Sequence, residues 1–177
     1  MIRLMRLLLP AFFLTSCSHT YYVVRHAEKA IPADNMTSDV PLTEPGLQRA
    51  EELKKILKNK NIAFVYSTNT IRTISTAKPT ADYFHLKIQQ YGPRPDSAFM
   101  TTLKLKKKNT LIVGHSNTVD DIVNGLAGTT AVAGDLPDTE YDNLFLIKAR
   151  GKNVKFERKK FGTKEGVASR ESGVRSQ

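Results

Sequence analysis

The sequence predicts an α/β fold: a three-layer sandwich with a mostly parallel sheet, helices on both faces, and a C-terminal antiparallel hairpin. Three observations lead there. Tyr21 to Val24, Ile62 to Tyr66 and Thr110 to Val113 are short apolar runs with no polar alternation, the pattern of strands covered on both faces. Between them lie longer stretches with helical spacing of apolar residues, so strands and helices alternate. Near the end, Asn143 to Ala149 and Asn153 to Arg158 flank Arg150-Gly151-Lys152 and read as a hairpin.

The elements follow in chain order. Tyr21 to Arg25 is the first strand, and Ala30 to Leu42, with two prolines, two aspartates and an asparagine, is a loop. Thr43 is placed to cap a helix starting Glu44-Pro45, where proline suits the first turn. Leu47, Ala50, Leu53, Ile56 and Leu57 give that helix one apolar face. After the strand Ile62 to Tyr66, the turn Ser67-Thr68-Asn69 leads into a helix from about Thr70 to Phe84, which Pro79 should kink or divide. Leu86 to Tyr91 alternates as a strand, Gly92 to Pro95 is a loop, and a lysine-rich helix runs from about Asp96 to Lys106. The strand Thr110 to Val113 precedes Gly114-His115-Ser116-Asn117 and a helix over roughly Val119 to Leu126. Ala127 to Thr139, rich in Gly, Thr and Pro, is an extended loop, and the small, polar residues after Phe161 are expected to be a disordered tail, 162–177.

The ends and the charge bound the setting. Arg3 and Arg6 precede the apolar block Leu7 to Leu14, which is too short to span a bilayer at about 20 residues. Residues 1–16 therefore read as an export signal. Leu14-Thr15-Ser16-Cys17 resembles a bacterial lipobox, with cleavage before Cys17 and acylation of its thiol, leaving 17–20 as lipidated cysteine and tether; the alternative is an ordinary secretory signal with an incidental cysteine. On the lipobox reading the protein is a bacterial cell-envelope protein, held at a membrane through its lipid anchor. Cys17 is the only cysteine, so no disulfide supports the fold and the domain, 21–161, rests on its core. Formal charge is +10; without the signal it is +8, with 25 basic and 17 acidic residues. The lysine clusters 54–60 and 104–108 and the basic run 158–160 are plainly read as solvated element ends, and more sharply as attraction to an anionic membrane or substrate. Nucleic acid is not expected as a partner, because no aromatic stacking pattern accompanies the lysines.

The chemistry collects at strand ends. Arg25-His26, Ser67 leading to Arg72, and Gly114-His115 each follow an apolar strand, and parallel strands bring their carboxyl ends to one edge. Two guanidiniums and two imidazoles converging there would repel one another unless an anion such as phosphate binds. A zinc site is disfavoured, since no His-x-His or cysteine-rich spacing exists, and no metal or cofactor is needed for charge balance. His19 and His85 read as incidental, Ser67 as a cap for the Arg72 helix, and Asp120 and Asp121 as helix-surface residues.

Arg25-His26-Ala27-Glu28-Lys29, then Tyr66-Ser67 with Ile71-Arg72-Thr73 and Thr76-Ala77, then Val113-Gly114-His115-Ser116-Asn117, resemble the histidine phosphatase superfamily, also called phosphoglycerate mutase-like. The usual family motif has glycine where Ala27 stands. The resemblance implies that His26 is a nucleophile forming a phosphohistidine, that Arg25 and Arg72 hold the phosphoryl oxygens, and that His115 adds a charged hydrogen bond. It implies a hydrolase for small phosphorylated substrates, phosphomonoesters or phosphoramidates; a phosphate- or glycan-binding envelope lipoprotein with the same pocket is the alternative. A mutase fits an exported chain less well. Many relatives use a carboxylic acid to protonate the leaving group, and the candidates are Asp96, which could equally cap the lysine-rich helix, and Glu28. If neither serves, good leaving groups such as phosphoramidates are favoured. Asp142 is a candidate for orienting the site.

Overall fold

In a computed structural model, residues 18–32 and 39–162 are described. The expected signal, the expected acylation site Cys17 and the tail beyond Gly162 lie outside them. The chain runs β1 (Ser18–Arg25), α1 (Glu44–Leu57), β2 (Phe64–Ser67), α2 (Ile71–Tyr83), β3 (Ile88–Gln90), α3 (Ser97–Lys106), β4 (Thr110–Gly114), α4 (Val119–Ala127), β5 (Asn143–Arg150) and β6 (Asn153–Lys160). The six strands form one sheet in the order β3-β2-β4-β1-β5-β6. The first four in that order are mutually parallel, and β5 and β6 add the antiparallel hairpin at one side.

Topology places the helices. The chain moves outward from β1 through β2 to β3, then crosses back to β4 and onward to β5. Right-handed crossovers put α1 and α2 on one face for the outward path, and α3 and α4 on the other for the return. The cores agree. Tyr22, Val24, Val65, Leu111 and Val113 pack with Leu53 and Leu57 of α1 and Ala77 and Ala81 of α2. Val23, Tyr66, Ile112, Phe145 and Ile147 pack with Leu103 of α3 and Val119, Ile122 and Val123 of α4. Alternate residues of β1 thus serve opposite cores, which explains their unbroken hydrophobicity.

Several elements depart from expectation: β3 keeps only Ile88–Gln90 of the strand expected over Leu86 to Tyr91, and β2 runs Phe64–Ser67 rather than Ile62 to Tyr66. β1 begins at Ser18 rather than Tyr21, because Ser18, His19 and Thr20 pair with Arg150, Ala149 and Lys148 of the hairpin; these residues are strand and not a free tether. α2 runs unbroken through Pro79. The carbonyl deprived of its partner there belongs to Ser75, which is not buried, so water can take the place of the missing N–H. No helix among the described residues is long and apolar enough to cross a membrane.

Candidate active site

Neighbouring β1 and β4 send their following chains to opposite faces of the sheet, which opens a crevice at their carboxyl ends. Arg25 and Gly114 are in register there, and the His26 N–H donates to the Gly114 carbonyl at 2.9 Å. The next residues are held from two helices. The Ala27 N–H donates to Thr76 Oγ1 at 2.9 Å, and that hydroxyl donates to the Arg72 carbonyl at 2.8 Å, joining the β1 loop to α2. Thr43, the N-cap of α1, donates its N–H to the Glu28 carbonyl at 2.9 Å. Gly46 lets α1 approach: a Cβ there would lie 2.2 Å from the Glu28 carbonyl oxygen.

The cleft above this crevice has a volume of about 520 Å³, and Arg25, His26, Arg72 and His115 all line it. The His26 and His115 rings meet edge to face with centroids 5.6 Å apart. Hydrogen bonds assign the tautomers. His26 Nδ1 lies 2.8 Å from the Ala27 carbonyl, which only accepts, so Nδ1 carries the proton and Nε2 keeps its lone pair. His115 Nδ1 lies 3.4 Å from Arg72 Nη2, which only donates, so His115 carries its proton on Nε2 and gives it to Thr68 Oγ1 at 2.8 Å. Thr68 Oγ1 in turn lies 3.0 Å from the hydroxyl of Thr73 on α2.

Both imidazoles are neutral. Burial pulls His26 down to about 3, helped by the charges of Arg25, Arg72 and His115. Burial likewise pulls His115 down to about 4, with Arg72 and Arg25 adding to the effect and Asp39 opposing it. The arrangement therefore offers a desolvated nitrogen lone pair beside two guanidiniums, suited to attack on an electrophile carried by an anion.

Each arginine is held by an acid on a loop. Arg25, only 3% exposed, donates from Nη1 to the Pro137 carbonyl at 2.8 Å and from Nη2 to Asp138 at 3.0 Å, and its guanidinium lies 4.3 Å over the Tyr141 ring. Arg72 Nη1 lies 3.5 Å from Asp39, whose same oxygen accepts the first N–H of α2, from Ile71, at 2.8 Å. Asp39, Thr68, Asp138 and Tyr141 went unrecognised in the sequence. Only Thr68 carried a signal, as a hydroxyl directly after a strand that ends at the same edge.

The two acids expected to protonate a leaving group are engaged elsewhere. Glu28 turns to α1, where Arg49 Nε contacts both its carboxylate oxygens at 2.9 Å and Nη2 donates at 2.6 Å. Asp96 is the N-cap of α3 and accepts the Phe99 N–H at 2.7 Å. Neither lines the cleft, where the one carboxylate among the described lining residues is Asp138. Asp142 binds Lys160 at 2.7 Å, and Ser67 donates to the Thr68 carbonyl at 2.7 Å instead of capping α2. Asp120 and Asp121 sit in the first turn of α4 and do not reach the cleft.

The family model described as histidine phosphatase superfamily (branch 1) matches residues 21–93, less than half of the chain. No curated protein matches. Among solved structures, the protein histidine phosphatase SixA complexed with tungstate has a TM-score of 0.61 at 19% identity, over 80% of this chain and 96% of that one. A mycobacterial glucosyl-3-phosphoglycerate phosphatase has a TM-score of 0.58 at 9% identity, over 81% and 98%. A phosphoglycerate mutase from Bacillus anthracis has a TM-score of 0.56 at 17% identity, over 80% and 92%. Identities this low establish the shared fold alone. The matched segment is similar to that superfamily over residues 21–93, and the solved structures share the fold of the whole domain.

Proposed function

We propose that the chain is a phosphatase that works through a phosphohistidine on His26. The observation that carries this is the commitment of His26 Nδ1 to the Ala27 carbonyl, which leaves Nε2 as a lone pair beside Arg25, Arg72 and His115 in one cleft. Nε2 attacks phosphorus, a P–N bond forms, and the bond to the leaving group breaks with its electron pair. Water then attacks the phosphohistidine, the P–N bond breaks, and orthophosphate departs. Arg25 and Arg72 hold the non-bridging oxygens as charge builds on them. Arg25 Nε, buried and without a hydrogen-bond partner, is a donor that a phosphoryl oxygen would satisfy.

The acid side of the reaction narrows the substrate. With Glu28 tied to Arg49, Asp96 spent on a helix cap and Asp138 paired with Arg25, a leaving alkoxide finds no free carboxylic acid among the described residues of the cleft. A phosphoramidate nitrogen can take its proton from water before it leaves, so N–P bonds are the preferred substrates and aryl phosphates are tolerated. The SixA neighbours, one named a phosphohistidine phosphatase and the other a protein histidine phosphatase, support this choice. We further propose that the protein is exported and acylated at Cys17, as the lipobox-like Leu14 to Cys17 suggests. Mass spectrometry of the mature chain tests that: an N-terminus at Cys17 bearing acyl mass is expected, and an uncleaved chain refutes it.

The catalytic test compares phosphoramidate, p-nitrophenyl phosphate and an alkyl phosphate. The alkyl ester should be slower by about 10² or more, the range a general acid supplies. His26→Ala should lose all three activities and the acid-labile phosphoprotein. Equal turnover by wild type and variant would overturn the reading.

A further inference from the structure

We propose that the amino-terminal edge of the sheet is a docking surface for an anionic phospholipid bilayer, separate from the cleft and independent of its chemistry. The clusters of lysine that look scattered in sequence meet at this edge. α1 ends where β2 begins, so Lys58 and Lys60 lie there; α3 ends where β4 begins, which brings Lys107 and Lys108 beside them. Lys87 precedes β3, and Ser18↔Arg150 pairing sets the β5–β6 turn, with Lys152, at the same edge. Side-chain bonds tie the loops together: Asn109 Nδ2 donates to the Lys60 carbonyl at 2.6 Å, while Asn109 Oδ1 accepts the Thr20 N–H at 2.8 Å. Lys107 is close enough to β1 that its charge lowers the His19 imidazole, after burial.

Three features point to a lipid surface. The edge segments 18–20, 58–63, 85–87, 107–109 and 150–153 contain no Asp or Glu, and their lysines are exposed without an ion pair among the described residues. The acids near this edge, Glu51, Glu52 and Asp82, are matched by Lys54, Lys55 and Lys78 within their own helices. Loop acids gather at the opposite edge instead: Asp39, Asp138, Glu140 and Asp142. The cleft edge also carries cations, but they stand beside these acids, whereas the amino-terminal edge is basic throughout and offers an anionic plane a continuous positive rim. Apolar groups stand among the lysines too. Leu105, in the last turn of α3, is 73% exposed, and Ile56, in the last turn of α1, is 38% exposed. Finally, the chain enters the described fold at this edge through Ser18, directly after residues that include the apolar run Leu7 to Leu14. A nucleic acid would meet the same charge, but the edge offers no row of exposed aromatic side chains for stacking bases.

The test is vesicle co-sedimentation of the full chain carrying Cys17→Ser, so that no acyl chain contributes. Binding to phosphatidylglycerol/phosphatidylcholine vesicles should exceed binding to phosphatidylcholine alone by at least about ten-fold at low salt, and the excess should vanish near 0.5 M salt. The variant Lys58→Gln/Lys60→Gln/Lys107→Gln/Lys108→Gln should lose about ten-fold or more of that excess. Lys78→Gln/Arg158→Gln/Lys159→Gln/Lys160→Gln, with equal net charge and no change at this edge, should keep it. Equal binding to both vesicle types, equal losses in the two variants, or tighter retention by a DNA duplex than by anionic vesicles would each overturn the proposal. Hydrolysis of p-nitrophenyl phosphate by the first variant should match the parent and shows that it is folded.

Discussion

At the residue scale, the two imidazoles decide how the protein responds to acid. Folded, His26 and His115 bind protons only near pH 3 and 4, whereas in an unfolded chain they bind them near the ordinary imidazole value of 6.5. Between those limits the unfolded state holds more protons, so stability rises with pH up to about 6.5 and falls on acidification below it. The melting temperature should drop steadily from pH 6.5 to 4, and His26→Gln should flatten that slope in thermal scans across the range. An unchanged slope would show that His26 is not held neutral by its surroundings. Thr68 makes a second case. Thr68→Val leaves the His115 Nε2–H buried without its acceptor, and a loss of about 1–3 kcal/mol is the usual scale for such an orphan. Turnover should fall about ten-fold or more, and Thr68→Ser, which restores the hydroxyl, should recover most of it. A valine variant with wild-type turnover would mean that the tautomer of His115 is irrelevant.

Among the elements, α1 acts on the site without touching the cleft. Its N-terminal turn presses against the Glu28 carbonyl, and its Arg49 clamps the Glu28 carboxylate. Gly46→Ala would drive a methyl into backbone, so the loop carrying His26 must shift. Stability should fall by about 2 kcal/mol or more, as for overpacking elsewhere, although alanine is the better helix former, and kcat should fall with it because the loop carrying His26 is displaced. Denaturant unfolding with parallel kinetics checks both. Such contacts also mark the limit of what the sequence disclosed. The strands and helices were legible because periodicity and caps are local: Thr43 and Asp96 cap the helices they precede, and β1, β2 and β4 read as buried runs. The two arginines and two histidines that converge were legible because each follows a strand end. Asp39 and Asp138 were not, since loop acids acquire partners only through the tertiary path of their loops. Glu28 misled for the opposite reason: two residues from a nucleophile in sequence, it is turned away by a salt bridge to a helix 21 residues on.

For the whole molecule, the cleft is a site where positive charge exceeds negative, and anion binding should offset the excess. Two guanidiniums and two imidazoles face one volume, and the surroundings keep both imidazoles neutral at the expense of proton affinity. An oxyanion in the cleft would supply opposite charge, favour protonation of His115, and displace or share Asp138 on Arg25. Since the unfolded chain has no such cleft, any anion that binds there stabilises the fold by mass action. At a concentration 100 times the dissociation constant the gain is about 2.7 kcal/mol. Tungstate or orthophosphate should therefore raise the melting temperature in a saturable manner, by several degrees for a domain of this size. Sulfate-free chloride at equal ionic strength should not reproduce the rise, because screening alone cannot fill the hydrogen bonds of two guanidiniums. Arg72→Ala should abolish most of the shift while Lys160→Gln leaves it intact. A rise of equal size in the Arg72 variant would place the anion elsewhere on this basic surface and remove the link between the cleft and phosphate.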